Sequence, residues 1–350
     1  MKCRPVWAQN DQAEVLDEIG DLAGPDTQDK LEALLDRLAP ELIICDRHPG
    51  YFSTGLGERV AAERGCRIAH VQHHRAHVAA VCLERGLYAE PVVGLAFDGT
   101  GYGDDGIAWG GEIFAGSLRD GLRRAAHFAP LPLPGGDAAV RGPWRIALAM
   151  LAERGVPESR LAEWIALRQA PVNDLALFQA GLRARLAVGR STALGRWFDA
   201  VSALLGIRVT AAFEAEPAIE LQKRAEAAGG PSPTIEWPFA ISAGEPAVID
   251  FPAIPELAFA AAADAPALAY SFHVAAARAV AEVAARLARE TGAKTVIASG
   301  GVFLNRLLDR LLNEELAARG LTAVKSQQLP PGDQAIALGQ IGLVLTAPAD

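Results

Sequence analysis

His70-Val71-Gln72-His73-His74-Arg75-Ala76-His77, followed shortly by Leu95-Ala96-Phe97-Asp98-Gly99-Thr100-Gly101-Tyr102-Gly103-Asp104-Asp105-Gly106, decides how this chain is read. Arg67 to Val71 is a short strand, and the histidines open a helix that runs to Arg85 and is ended by Gly86. Val92 to Phe97 is the next strand. Asp98 to Gly106 is a turn dense in glycine and acid, from which Ile107 to Ala115 returns as a hairpin partner. Strand, helix, strand in that order predicts an α/β fold.

The stretch holds four of the seven histidines in the 350-residue chain. His73 and His77 stand four residues apart, so on a helix both imidazoles leave one face, as two ligands of a single divalent metal must. Asp98 ends the following strand, where open α/β sheets bind ligands, and is the third candidate. The plain alternative is a histidine face satisfied by hydrogen bonds. His70 and His74 fall elsewhere around the helix start and are not taken as ligands.

Working outward, residues 27–39 form an amphipathic helix stopped by Pro40, Leu42 to Asp46 a buried strand ending in an acid, and residues 56–65 a helix. Residues 143–228 are mostly helical in pattern, most clearly from Leu194 to Gly206. Residues 229–265, rich in Pro, Gly and Ala, make an irregular connection with short strands. A helix over 270–290, a strand over 294–299, a helix from about 303, a strand over 323–327 and a helix from Asp333 complete the alternation. The expected division is an N-terminal α/β lobe (1–140), a helical insertion with its connection (141–265) and a C-terminal α/β lobe (266–350).

Hydrophobic residues make up 51% of the chain and charged ones 21%, which excludes general disorder. A net charge of −9 argues against a nonspecific nucleic-acid binder. Cys3, Cys45, Cys66 and Cys82 form no C-x-x-C pair, so neither a zinc ribbon nor a disulfide scaffold is expected. They are read as buried thiols. No signal peptide or membrane span is read from the sequence, which predicts a cytoplasmic protein.

Three further segments carry chemistry, each beside a plain structural reading. Gly99, Thr100 and Gly101 let backbone amides approach a phosphate, but the spacing matches neither the Rossmann nor the Walker pattern, and a glycine-rich hairpin is the alternative. Ser299-Gly300-Gly301 ends a strand and presents amides at a helix start, with Asn305 one turn on; a tight strand–helix turn also wants glycine. Asp333, after Pro330-Pro331-Gly332, is either a helix cap or a metal ligand.

Taken in order, several segments resemble the carbamoyltransferase domain of the HypF hydrogenase-maturation family, and more distantly the tRNA threonylcarbamoyl transferases and antibiotic O-carbamoyltransferases. They are Cys45 to Thr54, Val71 to His77, Asp98 to Gly106 with Trp109-Gly110-Gly111-Glu112, Phe198-Asp199-Ala200-Val201, Ser271-Phe272-His273, Ser299 to Phe303 and Asp333 to Gln340. The resemblance runs from about residue 10 to 345.

The resemblance implies an actin/hexokinase-like ATPase (ribonuclease H-like) fold of two related lobes closing on a nucleotide. It implies that His73, His77, Asp98 and Asp333 bind one metal, iron or zinc, and that Asp199, Gly301 and Asn305 hold ATP, AMP or carbamoyl-adenylate. The implied reaction moves a carbamoyl group from carbamoyl-adenylate to the C-terminal cysteine of a HypE-type acceptor. Rival readings are an O-carbamoyltransferase acting on a small-molecule hydroxyl and a non-catalytic ATP- and metal-binding assembly module.

The sequence departs from the family in three ways. It carries no acylphosphatase domain, paired C-x-x-C motifs or YrdC-like adenylating domain, which predicts either one domain of a longer protein or a free-standing relative served by a separate adenylating partner. Phe213 to Gln222 replaces a Tyr-Glu-Gly-Gln-Ala-Ala pattern, and Pro217 there removes a backbone donor. Gln334 and Ala335 replace a glycine pair.

Overall fold

The computed structural model describes residues 2–10, 12–186, 188–231 and 236–346. At its centre is the strand Val92–Tyr102, whose residues 92 to 97 are all buried. Val93, Leu95 and Phe97 enter a core shared with the helices Leu194–Leu204 and Ala265–Thr291. Val92 and Ala96 face Val78, Ala79 and Val81 of the helix His73–Glu84. A strand covered on both faces needs the unbroken apolar run that this one has.

Its neighbours set the fold. Val92–Tyr102 pairs antiparallel with Ala108–Ser117, which pairs antiparallel with Gly121–Phe128. On the other side it runs parallel to Thr295–Ser299, itself parallel to Thr322–Val324. Numbered along the chain, these five strands lie in the order third, second, first, fourth, fifth, the ribonuclease H-like arrangement. Ala240–Ile241 and Ala247–Asp250, in the connection read as irregular, extend the sheet beside Gly121–Phe128. Residues 232–235 of that connection lie outside those described, as does the side chain of Cys3. Earlier in the chain, Leu42–Asp46 and Arg67–Val71 pair in parallel across the helix Phe52–Arg64.

One expectation needs correction. The segment read as a turn from Asp98 continues as strand to Tyr102, with a register shift between Phe97 and Gly101. Pairing with Ala108–Ser117 overrides the local glycine signal, and the reversal is confined to Gly103–Ile107, where Gly103 N–H donates to the Ile107 carbonyl at 3.0 Å. Val92–Tyr102 and Thr295–Ser299, neighbours in this sheet, come from the first and the last of the three expected segments.

The histidine helix is buried nearly all round. Gln72 caps it, its Oε1 accepting from Arg75 N–H at 2.9 Å. One side lies on the sheet, where a Cβ on Gly94 would come within 2.6 Å of Val78 Cγ1. The other side meets the C-terminal helix Ile336–Leu345. None of the described helices is long and apolar enough to cross a membrane.

Candidate metal centre

The start of one helix, the central strand and a short turn converge on a single point. The first turn of the histidine helix presents His73 and His77, the central strand carries Asp98, and Asp333 opens a short 3-10 turn ahead of the C-terminal helix. His77 Nε2 lies 3.4 Å from Asp98 Oδ2 and 3.5 Å from Asp333 Oδ1. His73 Nε2 lies 3.8 Å and 3.6 Å from the same two atoms. Ligand atoms in a tetrahedron around a metal about 2.0–2.1 Å away stand about 3.3 Å apart, close to this spacing.

Both Nε2 atoms are buried and have no hydrogen-bond partner within the protein. Such groups are costly to leave unsatisfied, and a cation accepted by two imidazoles and two carboxylates satisfies them together. The donor set therefore fits a divalent metal. The histidines are 0–1% exposed, whereas the Asp98 and Asp333 side chains are 17% and 30% exposed, so the centre opens on its acid side.

The far nitrogens of the two rings are held as well. His73 Nδ1 is 2.9 Å from Asp46 Oδ2, and His77 Nδ1 is 3.2 Å from Ser299 Oγ. A proton on each Nδ1 leaves the Nε2 lone pair free for a metal. Asp46 is held in turn by His48 N–H, at 2.8 Å from its Oδ1. Burial alone would push both imidazoles down, but the facing carboxylates raise them, His73 well above the ordinary value. Against its own burial, Asp98 is held well below the usual carboxylate range by His73 and His77.

His74 completes the picture without joining the centre. Because Gln72 Oε1 is committed to Arg75, its Nε2 donates to Tyr102 O and stands 3.1 Å from His74 Nδ1. That leaves the His74 proton on Nε2, facing the Gly101 backbone, where a Cβ would sit 2.5 Å from the ring. His70 is exposed beside Glu58.

The nucleotide candidates are placed as follows. Gly99 and exposed Thr100 edge the centre next to Asp98, and Gly101 makes room for His73 and His74. Gly300 has φ +110°, and a Cβ there would lie 2.1 Å from the Phe97 carbonyl oxygen, so strand packing alone requires it. Gly301 borders Asp98, with a Cβ position 3.1 Å from Oδ1. Asn305 is not one turn inside a helix; it caps Arg306–Ala317, accepting from Leu308 N–H, while its Nδ2 donates to His273 Nε2 at 3.0 Å. Asp199 is 1% exposed, and burial pushes its carboxyl up, with Arg196 and the Ala218 amide opposing. Asp333 makes no side-chain cap, so the capping alternative is set aside.

Pro217 stands in the first turn of Glu216–Glu226, where a missing N–H costs nothing, and the neighbouring Ala218 amide still reaches Asp199. Asp104 and Asp105 tie down the hairpin. Asp104 pairs with Arg47 at 2.6 Å and Arg75 at 3.1 Å, and Asp105 with Arg124 at 2.9 Å. Asp46 and Arg196 were not singled out from sequence; an acid ending the strand beside the histidine strand was the one signal for Asp46.

Residues 1–84 match the family described as the HypF Kae1-like domain. Residues 94–340 match the description "Carbamoyltransferase, Kae1-like Domain, second subdomain". The chain belongs to the HypF family. Carbamoyltransferase HypF2 of Cupriavidus necator is 39% identical over 96% of the chain and 44% of its own length. A HypF homolog of the same organism is 38% identical over 95% of the chain and 85% of its own length. Among solved structures, HypF of T. kodakarensis superposes with a TM-score of 0.82 at 30% identity, covering 98% of this chain and 46% of that one. Full-length HypF in a phosphate- and nucleotide-bound form gives 0.79 at 29%, covering 95% and 43%. The chain thus spans less than half of several full-length HypF relatives. The two family matches meet between residues 84 and 94, just ahead of the central strand.

Proposed function

We propose that this chain carries out carbamoyl transfer in the maturation of nickel–iron hydrogenase. The carbamoyl group passes from carbamoyl-adenylate to the C-terminal cysteine thiolate of a HypE-type acceptor, and AMP leaves. The observation that carries the reading is the four-residue centre, seated in a ribonuclease H-like sheet that matches HypF along nearly the whole chain.

In this reading His73, His77, Asp98 and Asp333 hold one divalent metal, iron or zinc, with Asp46 and Ser299 fixing the two rings. When bound, such an ion is a Lewis acid that polarises the carbamoyl carbonyl and neutralises the phosphate beside it. Gly99, Thr100 and Gly101 line one side of the nucleotide, and Gly300, Gly301, Asn305 and Asp199 the other. The acceptor sulfur attacks the carbamoyl carbon, the bond from that carbon to the phosphate oxygen breaks, and the electron pair leaves with AMP. A thiolate needs no protein base, and none is assigned. Burial pushes the Cys45 and Cys82 thiols up to about 12, so neither supplies a competing thiolate near neutral pH. Carbamoyl-adenylate comes from a YrdC-like domain or protein.

The test is incubation of metal-loaded protein with carbamoyl-adenylate and a peptide ending in the HypE-type cysteine, read by mass spectrometry. An S-carbamoyl peptide together with AMP is the expected result. Turnover only with hydroxyl acceptors would favour an O-carbamoyltransferase, and nucleotide binding without turnover on any acceptor an assembly module.

A further inference from the structure

Arg196 stands near the start of the helix Leu194–Leu204 and is 6% exposed. Its Nη1 lies 2.8 Å from Asp199 Oδ2. Even so, Arg196 Nε and Asp199 Oδ1 are both buried without a hydrogen-bond partner. The helix start is equally unfinished. No side chain caps it, and its first intrahelical bond is from Trp197 N–H to Ala193 O, so the amides just before Trp197 lack helical acceptors.

Both features meet the strand that carries the metal centre. A Cβ on Gly195 would lie 3.1 Å from Gly99 Cα and 3.3 Å from Asp98 O. A Cβ on Gly99 would lie 3.4 Å from Arg196 Nη2. A guanidinium and an uncapped helix start therefore converge beside the residue that follows metal ligand Asp98.

One carboxylate cannot saturate five guanidinium N–H donors, and a buried donor left unmade is costly. The Arg196–Asp199 pair is neutral, so the positive end of the helix leaves a net preference for an anion. A phosphoryl group offers several acceptor oxygens and suits the planar fork; a ribose hydroxyl or a base edge offers one or two. From this geometry we infer that Arg196, held by Asp199 and assisted by the helix start, binds the phosphoryl group of the nucleotide. This subsite is distinct from the four metal ligands, and it rests on the nucleotide reading above.

Calorimetric titration of the metal-loaded full chain with AMP, adenosine and inorganic phosphate tests it. Loss of a charge-assisted contact corresponds to roughly 10- to 100-fold in affinity. Arg196→Met is expected to weaken AMP and phosphate binding by that factor and leave adenosine unchanged, while Arg196→Lys keeps AMP within about threefold, the charge being retained. If Arg196→Met does not fold, Arg196→Gln replaces it in the same comparison. Equal losses for AMP and adenosine, or no loss for either, would overturn the assignment while leaving nucleotide binding intact. Wild-type protein that holds its metal but binds no AMP would remove the nucleotide reading and this subsite with it.

Discussion

Gly339 lies directly on Ala76: a Cβ at Gly339 would stand 1.8 Å from the Ala76 carbonyl oxygen. This contact seats the C-terminal helix against the histidine helix, and Asp333 is just ahead of that helix. Backbone contact this close is open only to glycine. The distance between two helices thus sets whether a fourth ligand reaches the first two.

Gly339→Ala should therefore act at the centre from a distance. Overpacking of this kind costs about 1–3 kcal/mol, and separation of the helices draws Asp333 away from His73 and His77. Thermal unfolding and metal analysis of the same sample check it. A variant with unchanged Tm and full metal content would contradict the packing argument.

Asp46 acts through His73. Removing the acceptor of its Nδ1 proton should loosen the ring and lower its basicity, so Asp46→Ala should weaken metal binding about 10- to 100-fold. Competition against a chelator of known affinity measures this. A variant that competes as well as wild type would show that the 2.9 Å contact does not orient the ligand.

His273 supplies a pH dependence. It is wholly buried, and desolvation lowers it from the ordinary 6.5 to about 4. Between those values the unfolded chain takes up a proton that the folded chain refuses, so stability is fully present above about pH 6.5 and falls as pH approaches 4. The span corresponds to about 3 kcal/mol. Urea unfolding at several pH values should show wild type losing about that much more than His273→Gln. Parallel curves for the two proteins would contradict it.

Glu112 is 0% exposed and pairs with Arg124 at 2.5 Å, whose guanidinium covers the Trp109 ring at 3.9 Å. Glu112→Ala removes the buried partner of Arg124, leaves it only the half-exposed Asp105, and should cost about 1–3 kcal/mol. Denaturant midpoints read the loss. A change within about 0.5 kcal/mol, as at an ordinary surface site, would show that the pair is not structural.

What was legible in the sequence follows from which signals are local. His73 and His77 share a helix face by spacing alone, and the apolar run from Val92 to Phe97 announces a strand covered on both faces. Asp333 gave no such sign. It reaches the histidines through a parallel strand pairing and the helix contact at Gly339, and read locally it looked equally like a cap. Only the ordered resemblance singled it out. The strand end was misplaced because Gly99, Gly101 and Gly103 signal a turn, whereas pairing with Ala108–Ser117 holds the chain extended to Tyr102. Asp46 and Arg196 matter through side chains they meet across the fold, which no local pattern encodes.

The central claim is that four residues hold one metal. Elemental analysis of purified wild type, His77→Ala, Asp333→Ala and His70→Ala tests it most directly. One iron or zinc per chain in wild type and His70→Ala, with loss from the other two, is the expected result. Full metal content in both His77→Ala and Asp333→Ala would contradict the account.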